Sequence, residues 1–281
     1  MSPFRVFILT TVAMIAFAAN SLLCRAALRH GTIDAASFSS IRIISGAIAL
    51  WLILVMRHSN RRPAGSWRSA AALFAYVAAF SFAYNTLSAG IGALLLFAAV
   101  QSTMIIWGFC NGERFHLRQW IGFVVACAGL VLLLLPGIST PPLTGSILML
   151  GAGVAWGIYS LRGKKAGDPI AATAGNFLRA MPMTLLVSAL FLTLIRIDTL
   201  GATYAVISGA ITSGLGYVIW YSALPYLTAT SAATVQLSAP VIAALGGILF
   251  LHESLTLRFL LASVAVLGGI ALVVMKRPER V

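Results

Sequence analysis

The feature that most constrains this chain is a succession of apolar segments, each about as long as a helix that crosses a membrane. A helix needs about 20 predominantly apolar residues to cross the hydrocarbon core of a bilayer. The 281 residues are 60% hydrophobic and 9% charged, with a mean hydropathy of +0.99. The period-two alternation typical of outer-membrane barrels is absent. We therefore expect an all-α integral membrane protein.

Turn-forming residues divide these segments. Three apolar blocks are too long for one helix, and we break them at residues 85–92, at residues 136–142 and at Pro225. Residues 6–24 could also be a signal peptide, but because further spans follow we expect an uncleaved first helix. The result is ten predicted transmembrane helices, at residues 5–23, 36–56, 67–85, 90–110, 119–135, 145–161, 172–195, 202–222, 229–250 and 256–275.

The formal net charge of +13 comes from Lys and Arg residues that lie mainly in the connections between the predicted spans. Connections on the side of the N-terminus hold thirteen Lys and Arg, and those on the other side hold four. Because basic residues concentrate in cytoplasmic connections, we expect both termini in the cytoplasm. The same distribution argues against a nucleic-acid partner. The three Cys form no C-x-x-C motif and are interpreted as packing residues.

A weak internal repeat divides the chain into two halves. Glu113, Leu117 and Arg118 recur as Glu253, Leu257 and Arg258 at an offset of 140 residues, and Arg42 corresponds to Arg179 further upstream. We therefore predict a duplicated unit of five spans, at residues 1–138 and 139–281. Because five is an odd number, the two copies have opposite orientations in the bilayer, which makes them an inverted repeat.

Ten spans in two halves, with an Arg early in the second span of each half and a [GH]-E-x-x-x-L-R connection after the fourth, resemble the drug/metabolite transporter superfamily, EamA type. The resemblance is nearest to bacterial exporters of amino acids and related metabolites. It implies a basket-like bundle with a central cavity walled by spans 1–4 and 6–9, supported from outside by spans 5 and 10. A proline common in both halves of the family is present here as Pro240, whereas Val100 occupies the matching position.

Polar and aromatic side chains near the middle of spans are candidates for contact with substrate. A buried amide needs a partner, water or a ligand, and Tyr and Trp offer both an apolar face and a polar edge. Such groups suit an amino acid or an aromatic solute. Packing is the alternative for the aromatic side chains, and hydrogen bonds between helices for the glutamines. The candidates are Asn20, Tyr76, Phe80, Tyr84, Gln101, Trp156, Tyr159, Tyr217, Tyr221 and Gln236.

Two arginines lie within predicted spans, where a charge costs about 2.5–3.5 kcal/mol on insertion scales. By the inverted geometry, Arg42 lies on the side of Glu253, and Arg179 on the side of Glu113. We expect two structural ion pairs between the halves. The alternative hypothesis is that the arginines attract substrate carboxylates at the entrances of the cavity.

These features favour an alternating-access exporter of amino acids or related metabolites that works by facilitated diffusion or exchange. No acidic residue lies at mid-span, which argues against proton antiport of cations. A lipid-linked sugar flippase and a multidrug or aromatic-cation efflux carrier are the alternatives. Without an H-E-x-x-H motif, a Walker loop or a titratable cluster, we expect no enzyme, cofactor or metal. The expected partners are a small-molecule substrate and the lipid bilayer, with the protein as a monomer or homodimer.

Overall fold

Ten main helices make up a computed structural model that describes residues 1–56, 63–110, 116–136, 140–163, 167–227 and 235–274. Short connections join them, and the one isolated β-bridge within these ranges pairs Ile33 with Ile197. The helices are α1 (Pro3–Arg29), α2 (Ala35–Met56), α3 (Trp67–Tyr84), α4 (Ala89–Cys110), α5 (Leu117–Leu134), α6 (Leu143–Gly163), α7 (Pro169–Leu190), α8 (Thr199–Tyr226), α9 (Ser238–Leu251) and α10 (Leu257–Val274).

The prediction of an all-helical chain is confirmed for the described residues. Seven of these helices, α1, α2 and α4–α8, are long and apolar enough to cross a membrane, and α9 and α10 are shorter apolar helices. The expected spans agree with the helices within a few residues, with three exceptions. Helix α1 continues to Arg29 instead of ending near residue 23, and α7 ends at Leu190 instead of near residue 195. Arg25 therefore lies in the last turns of a helix and not in a connection. Helix α9 begins at Ser238, whereas its span was predicted to begin at residue 229, which lies outside the described residues.

Helix α8 is irregular at its centre. It is α-helical over Thr199–Ile207, π-helical over Ser208–Leu215 and α-helical again over Gly216–Ala223. A final 3₁₀ turn, Leu224–Tyr226, contains the proline at which the sequence predicted the helix to end. A π-helical segment changes which side chains share a face of the helix, and such segments are frequent at functional sites.

Helices α5 and α10 form a pair at the edge of the bundle. They pack closely on each other, and their other main contacts are with α4. A Cβ atom on Gly122 would lie 2.5 Å from the carbonyl oxygen of Gly269, so only glycine permits this approach. Half of the residues of α5 are exposed, and nearly all of these are apolar, as expected of a surface that faces lipid. This arrangement agrees with the expectation that spans 5 and 10 lie outside the central wall.

The other eight helices pack on one another around the most buried residues of the protein. Helix α1 contacts α8 and α9, while α6 contacts α3 and α4. Helix α2 contacts α7 and α8, α3 contacts α7, and α4 contacts α9. We call the end of the bundle where α1 begins the N face, and the other end the opposite face. On the opposite face, the connections that follow α1 and α7 meet through the bridge between Ile33 and Ile197.

Candidate functional site

Arg42 lies at the centre of the eight-helix wall and is fully buried. Its Nε donates a hydrogen bond to Ser213 Oγ at 3.0 Å. Its Nη2 donates to the hydroxyl oxygens of Tyr76, at 3.0 Å, and Tyr217, at 3.3 Å. The guanidinium carbon also lies 5.0 Å from the centre of the Phe80 ring, within range of a cation–π interaction. The side chain of Arg42 thus joins α2 to α3 and α8.

Asn20 on α1 extends this network. Its amide nitrogen donates to the Tyr76 hydroxyl oxygen at 3.3 Å. Its amide oxygen accepts hydrogen bonds from Ser208 Oγ at 2.6 Å and from Thr212 Oγ1 at 3.2 Å. Helices from both halves of the chain therefore meet in one buried set of hydrogen bonds. We call this set the polar cluster, and its members are Asn20, Arg42, Tyr76, Ser208, Thr212, Ser213 and Tyr217.

One hydrogen-bond donor of the polar cluster is left without an acceptor. Within the described residues, Arg42 Nη1 is buried and has no hydrogen-bond partner. The three described hydrogen-bond partners of the guanidinium are neutral hydroxyl groups, so none supplies a negative charge. An unpaired guanidinium nitrogen in such a setting favours an anionic acceptor, since charge-assisted bonds of Arg to a carboxylate are among the strongest in proteins.

Aromatic rings surround the polar cluster. The Trp156 ring lies 4.9 Å from that of Tyr76 and 4.7 Å from that of Tyr217, measured between ring centres. On α3, the expected column of Tyr76, Phe80 and Tyr84 is present, with successive ring centres 5.3 Å and 4.7 Å apart. These rings are themselves buried and enclose Arg42 within the bundle.

A cavity of about 280 Å³ lies at the N face, between α3, α6, α7 and α8. Tyr159 and Tyr221 line it, together with Arg162, Asp168 and other residues of these helices. The Tyr159 ring lies 5.6 Å from that of Trp156, which in turn contacts the tyrosines that bond to Arg42. Two layers of aromatic side chains therefore separate the cavity from the polar cluster.

The expected ion pair between Arg42 and Glu253 is wrong. Glu253 pairs with Arg25, whose Nε lies 3.3 Å from the carboxylate, and it also accepts hydrogen bonds from the backbone nitrogen of Ala89. Arg25 further donates to the carbonyl oxygen of Tyr84 at 2.9 Å. The physical reason is the length of α1, which brings Arg25 to the ends of α3 and α9. Nor does Arg42 lie at an entrance of a cavity, since it is buried in the interior.

The structure places the remaining candidates in different surroundings. Gln101 on α4 and Gln236, shortly before α9, are both buried. Arg179 donates to the carbonyl oxygens of Ala64 and Gly175 near the N face. Its expected partner, Glu113, lies outside the described residues. Within the part of the chain that the structure describes, no group of three or more His, Cys, Asp or Glu could hold a metal ion.

Sequence reasoning missed the three hydroxyl residues of α8. Ser208 and Thr212 are one turn apart near the middle of the span, a spacing that could have drawn attention to them. Ser213 reaches Arg42 although it is adjacent to Thr212, and the π-helical segment contains all three. Phe17 was also missed, although its ring contacts those of Trp156 and Tyr217, because nothing in its type distinguishes it from a packing residue.

Comparison with known proteins agrees with this architecture. Residues 5–135 and 143–275 each match the EamA-like transporter family. The chain belongs to the EamA-like transporter family. The resemblance inferred from the sequence is thereby confirmed, and the protein is a membrane transporter. The EamA-like repeat occurs twice, and together the two matches cover nearly all of the chain.

Proteins with similar sequences occur in several bacteria. An uncharacterized protein of Pseudomonas aeruginosa is 54% identical over 98% of this chain and 96% of its own. The uncharacterized transporter YoaV of Bacillus subtilis is 24% identical over 83% of this chain and 85% of its own. The threonine/homoserine exporter RhtA of Escherichia coli is 33% identical, over 54% of this chain and 52% of its own. A solved crystal structure with 17% identity shares the fold, with a TM-score of 0.69 over 95% of this chain and 96% of that one.

Proposed function

We propose that this EamA-like transporter exports amino acids or related small metabolites by alternating access, and that the polar cluster binds the solute. The observation that carries the proposal is a fully buried Arg42 with an unpaired nitrogen, enclosed by helices from both halves of the chain. Amino acids carry the carboxylate that such an arginine binds. RhtA, the threonine/homoserine exporter, supports export as the direction and amino acids as the solute class.

An inverted repeat with halves at residues 1–138 and 139–281 provides the two conformations. In such a repeat, each of α1–α5 has a counterpart among α6–α10, in the same order. The main helix contacts occur in pairs that are equivalent under this correspondence. The packing of α1 on α8 and α9 matches that of α6 on α3 and α4, while the packing of α2 on α8 matches that of α7 on α3. The contacts of α2 with α7, α4 with α9 and α5 with α10 each join a helix to its own counterpart in the other half. Two such halves give inward-open and outward-open states of similar energy.

The two faces of the bundle differ in this structure, which supports a conformation closed at the opposite face. There, Asp34 accepts a hydrogen bond from the Arg196 backbone nitrogen at 3.0 Å, next to the bridge between Ile33 and Ile197. At the N face, the cavity reaches inward to Tyr159. We propose that solute enters this cavity and passes Tyr159 and Trp156 to reach Arg42.

The distribution of Lys and Arg in the sequence supports a cytoplasmic N face. To test this orientation, single cysteines are introduced at Ala64 and at Ile197 in a chain whose three native cysteines are replaced. We expect a membrane-impermeant maleimide added to intact cells to label the cysteine at 197 and to spare the one at 64 until the membrane is permeabilised. Labelling of both positions, or of position 64 alone, in intact cells contradicts the proposed orientation.

Transport is tested by counterflow in liposomes that contain the purified protein. Labelled L-threonine or L-homoserine is added outside vesicles loaded with the unlabelled amino acid, and we expect accumulation well above that of protein-free vesicles. Parallel vesicles receive an aromatic cation or a lipid-linked sugar. Movement of the lipid-linked sugar without movement of amino acids would select the flippase. Movement of the cation alone would select the efflux carrier, which the buried positive charge of Arg42 disfavours.

A further inference from the structure

We infer that this transporter is an exchanger that reorients readily when a carboxylate is bound to Arg42 and slowly when the site is empty. The inference rests on the proposed function and concerns the coupling of transport. It follows from the charge of the polar cluster, from its count of hydrogen-bond donors and acceptors, and from its position at the contact between the two halves.

The first step is the charge. The guanidinium of an arginine stays protonated in proteins, so Arg42 brings a permanent positive charge into the interior. The carboxylates of Asp34, Asp198 and Glu253 form hydrogen bonds elsewhere, at helix ends and with Arg25. The described partners of Arg42 are hydroxyl groups and aromatic rings. Neutral dipoles offset only part of the cost of removing a charge from water.

The second step is the count of donors and acceptors. The Tyr76 oxygen already accepts two hydrogen bonds, from Arg42 and Asn20, and the Asn20 oxygen accepts from Ser208 and Thr212. These two oxygens therefore each accept two hydrogen bonds, whereas Arg42 Nη1 has no acceptor within the described residues. A carboxylate supplies both the missing acceptor oxygens and the missing negative charge. An amine or another cation supplies neither.

The third step is the transport cycle. Moving from one open state to the other requires a conformation in which the site is closed at both faces. In that conformation Arg42 is enclosed as it is in this structure, where its side chain is fully buried, so an empty site holds an unpaired charge. A bound carboxylate removes this penalty and lowers the barrier selectively for the loaded protein. Arg42 contacts α3 and α8, which belong to different halves of the chain. The free-energy cost of its unpaired charge therefore opposes the movement of one half against the other, which switches access between the two faces.

The test compares the entry of labelled L-threonine into proteoliposomes that contain different solutes. The vesicles hold buffer alone, unlabelled L-threonine, or L-threoninol, which keeps the amine and hydroxyl but lacks the carboxylate. We expect internal L-threonine to raise the initial rate of entry on the order of tenfold over buffer, since roughly tenfold is the effect of one well-placed ionic hydrogen bond. Internal L-threoninol should leave the rate at the level of buffer.

Each outcome decides between the two proposals. Equal and protein-dependent rates in all three loadings would overturn exchange while leaving the proposed transport of amino acids intact. Stimulation by L-threoninol equal to that by L-threonine would overturn the role of the carboxylate. Rates equal to those of protein-free vesicles in every loading would overturn both proposals for this amino acid.

Discussion

Replacement of Arg42 by glutamine is expected to lower the counterflow of L-threonine by about 100-fold or more. Hydrogen bonds to charged groups contribute about 1.5–3 kcal/mol each, and about 1.4 kcal/mol corresponds to a factor of ten. A bound carboxylate would lose both the charge and the free nitrogen of Arg42. Glutamine can still donate to the hydroxyl groups of Tyr76 and Ser213, so the fold should persist. Lysine keeps the charge but not the fork of donors, and should retain a measurable fraction of the activity.

The matched control is Arg258→Gln, at the start of α10. Arg258 donates to the carbonyl oxygen of Leu135 and to Thr140, away from the polar cluster. We expect this variant to transport within about twofold of the unchanged protein, since an exposed contact of this kind contributes little. Size-exclusion profiles and thermal unfolding in detergent report whether each variant is folded. Full transport by a folded Arg42→Gln protein, or failure of both the Gln and Lys variants to fold, would assign Arg42 a purely structural role.

The architecture of the chain was predictable because it depends on composition and turn residues. The first six breaks between helices contain Pro, Gly or Asn, whereas residues 191–198 and 252–256 contain none and are marked by charged residues instead. The hydrocarbon thickness fixes the helix length. The end of α1 was not predictable in this way. The residues on either side of Arg25, up to Arg29, are mostly Leu and Ala, which favour a helix. The prediction ended the span before Arg25 because of its charge, and this end was too early. This error placed Arg25 in a connection and left Glu253 to be paired with Arg42.

The site itself was predictable only in part. Arg42, Asn20 and the tyrosines were recognisable because a polar group within a span needs a partner. The azimuth of each side chain around its helix, which decides its partners, depends on the crossing of helices that are far apart in sequence. For α8 the π-helical segment adds a further shift, since it places Ser208, Thr212 and Ser213 where a regular helix would not have placed all three. These features result from the packing of the helices, and the hydropathy pattern does not predict them.

Gly209 lies at the closest approach of α8 to α2, directly beside the polar cluster. A Cβ atom at this position would lie 2.1 Å from the carbonyl oxygen of Arg42 and 2.1 Å from Ser45 Oγ. Contacts below 3.0 Å cannot be accommodated without movement, and one of these atoms belongs to the backbone. The helices would have to separate, and this separation would draw Ser208 and Ser213 away from Asn20 and Arg42.

We therefore expect Gly209→Ala to destabilise the folded protein by about 1–3 kcal/mol through overpacking and to abolish transport. Gly151→Ala on α6 is the matched control, because a Cβ atom there meets nothing within 4 Å. The same exchange of glycine for alanine stabilises an unhindered helix by up to about 1 kcal/mol, so the two variants should shift the thermal unfolding temperature in opposite directions. Equal shifts for both would contradict the close packing of α8 on α2. A folded and fully active Gly209→Ala protein would show that the hydrogen bonds of the polar cluster do not depend on this close approach of α8 to α2. It would thereby contradict the proposed role of the Arg42 geometry in transport.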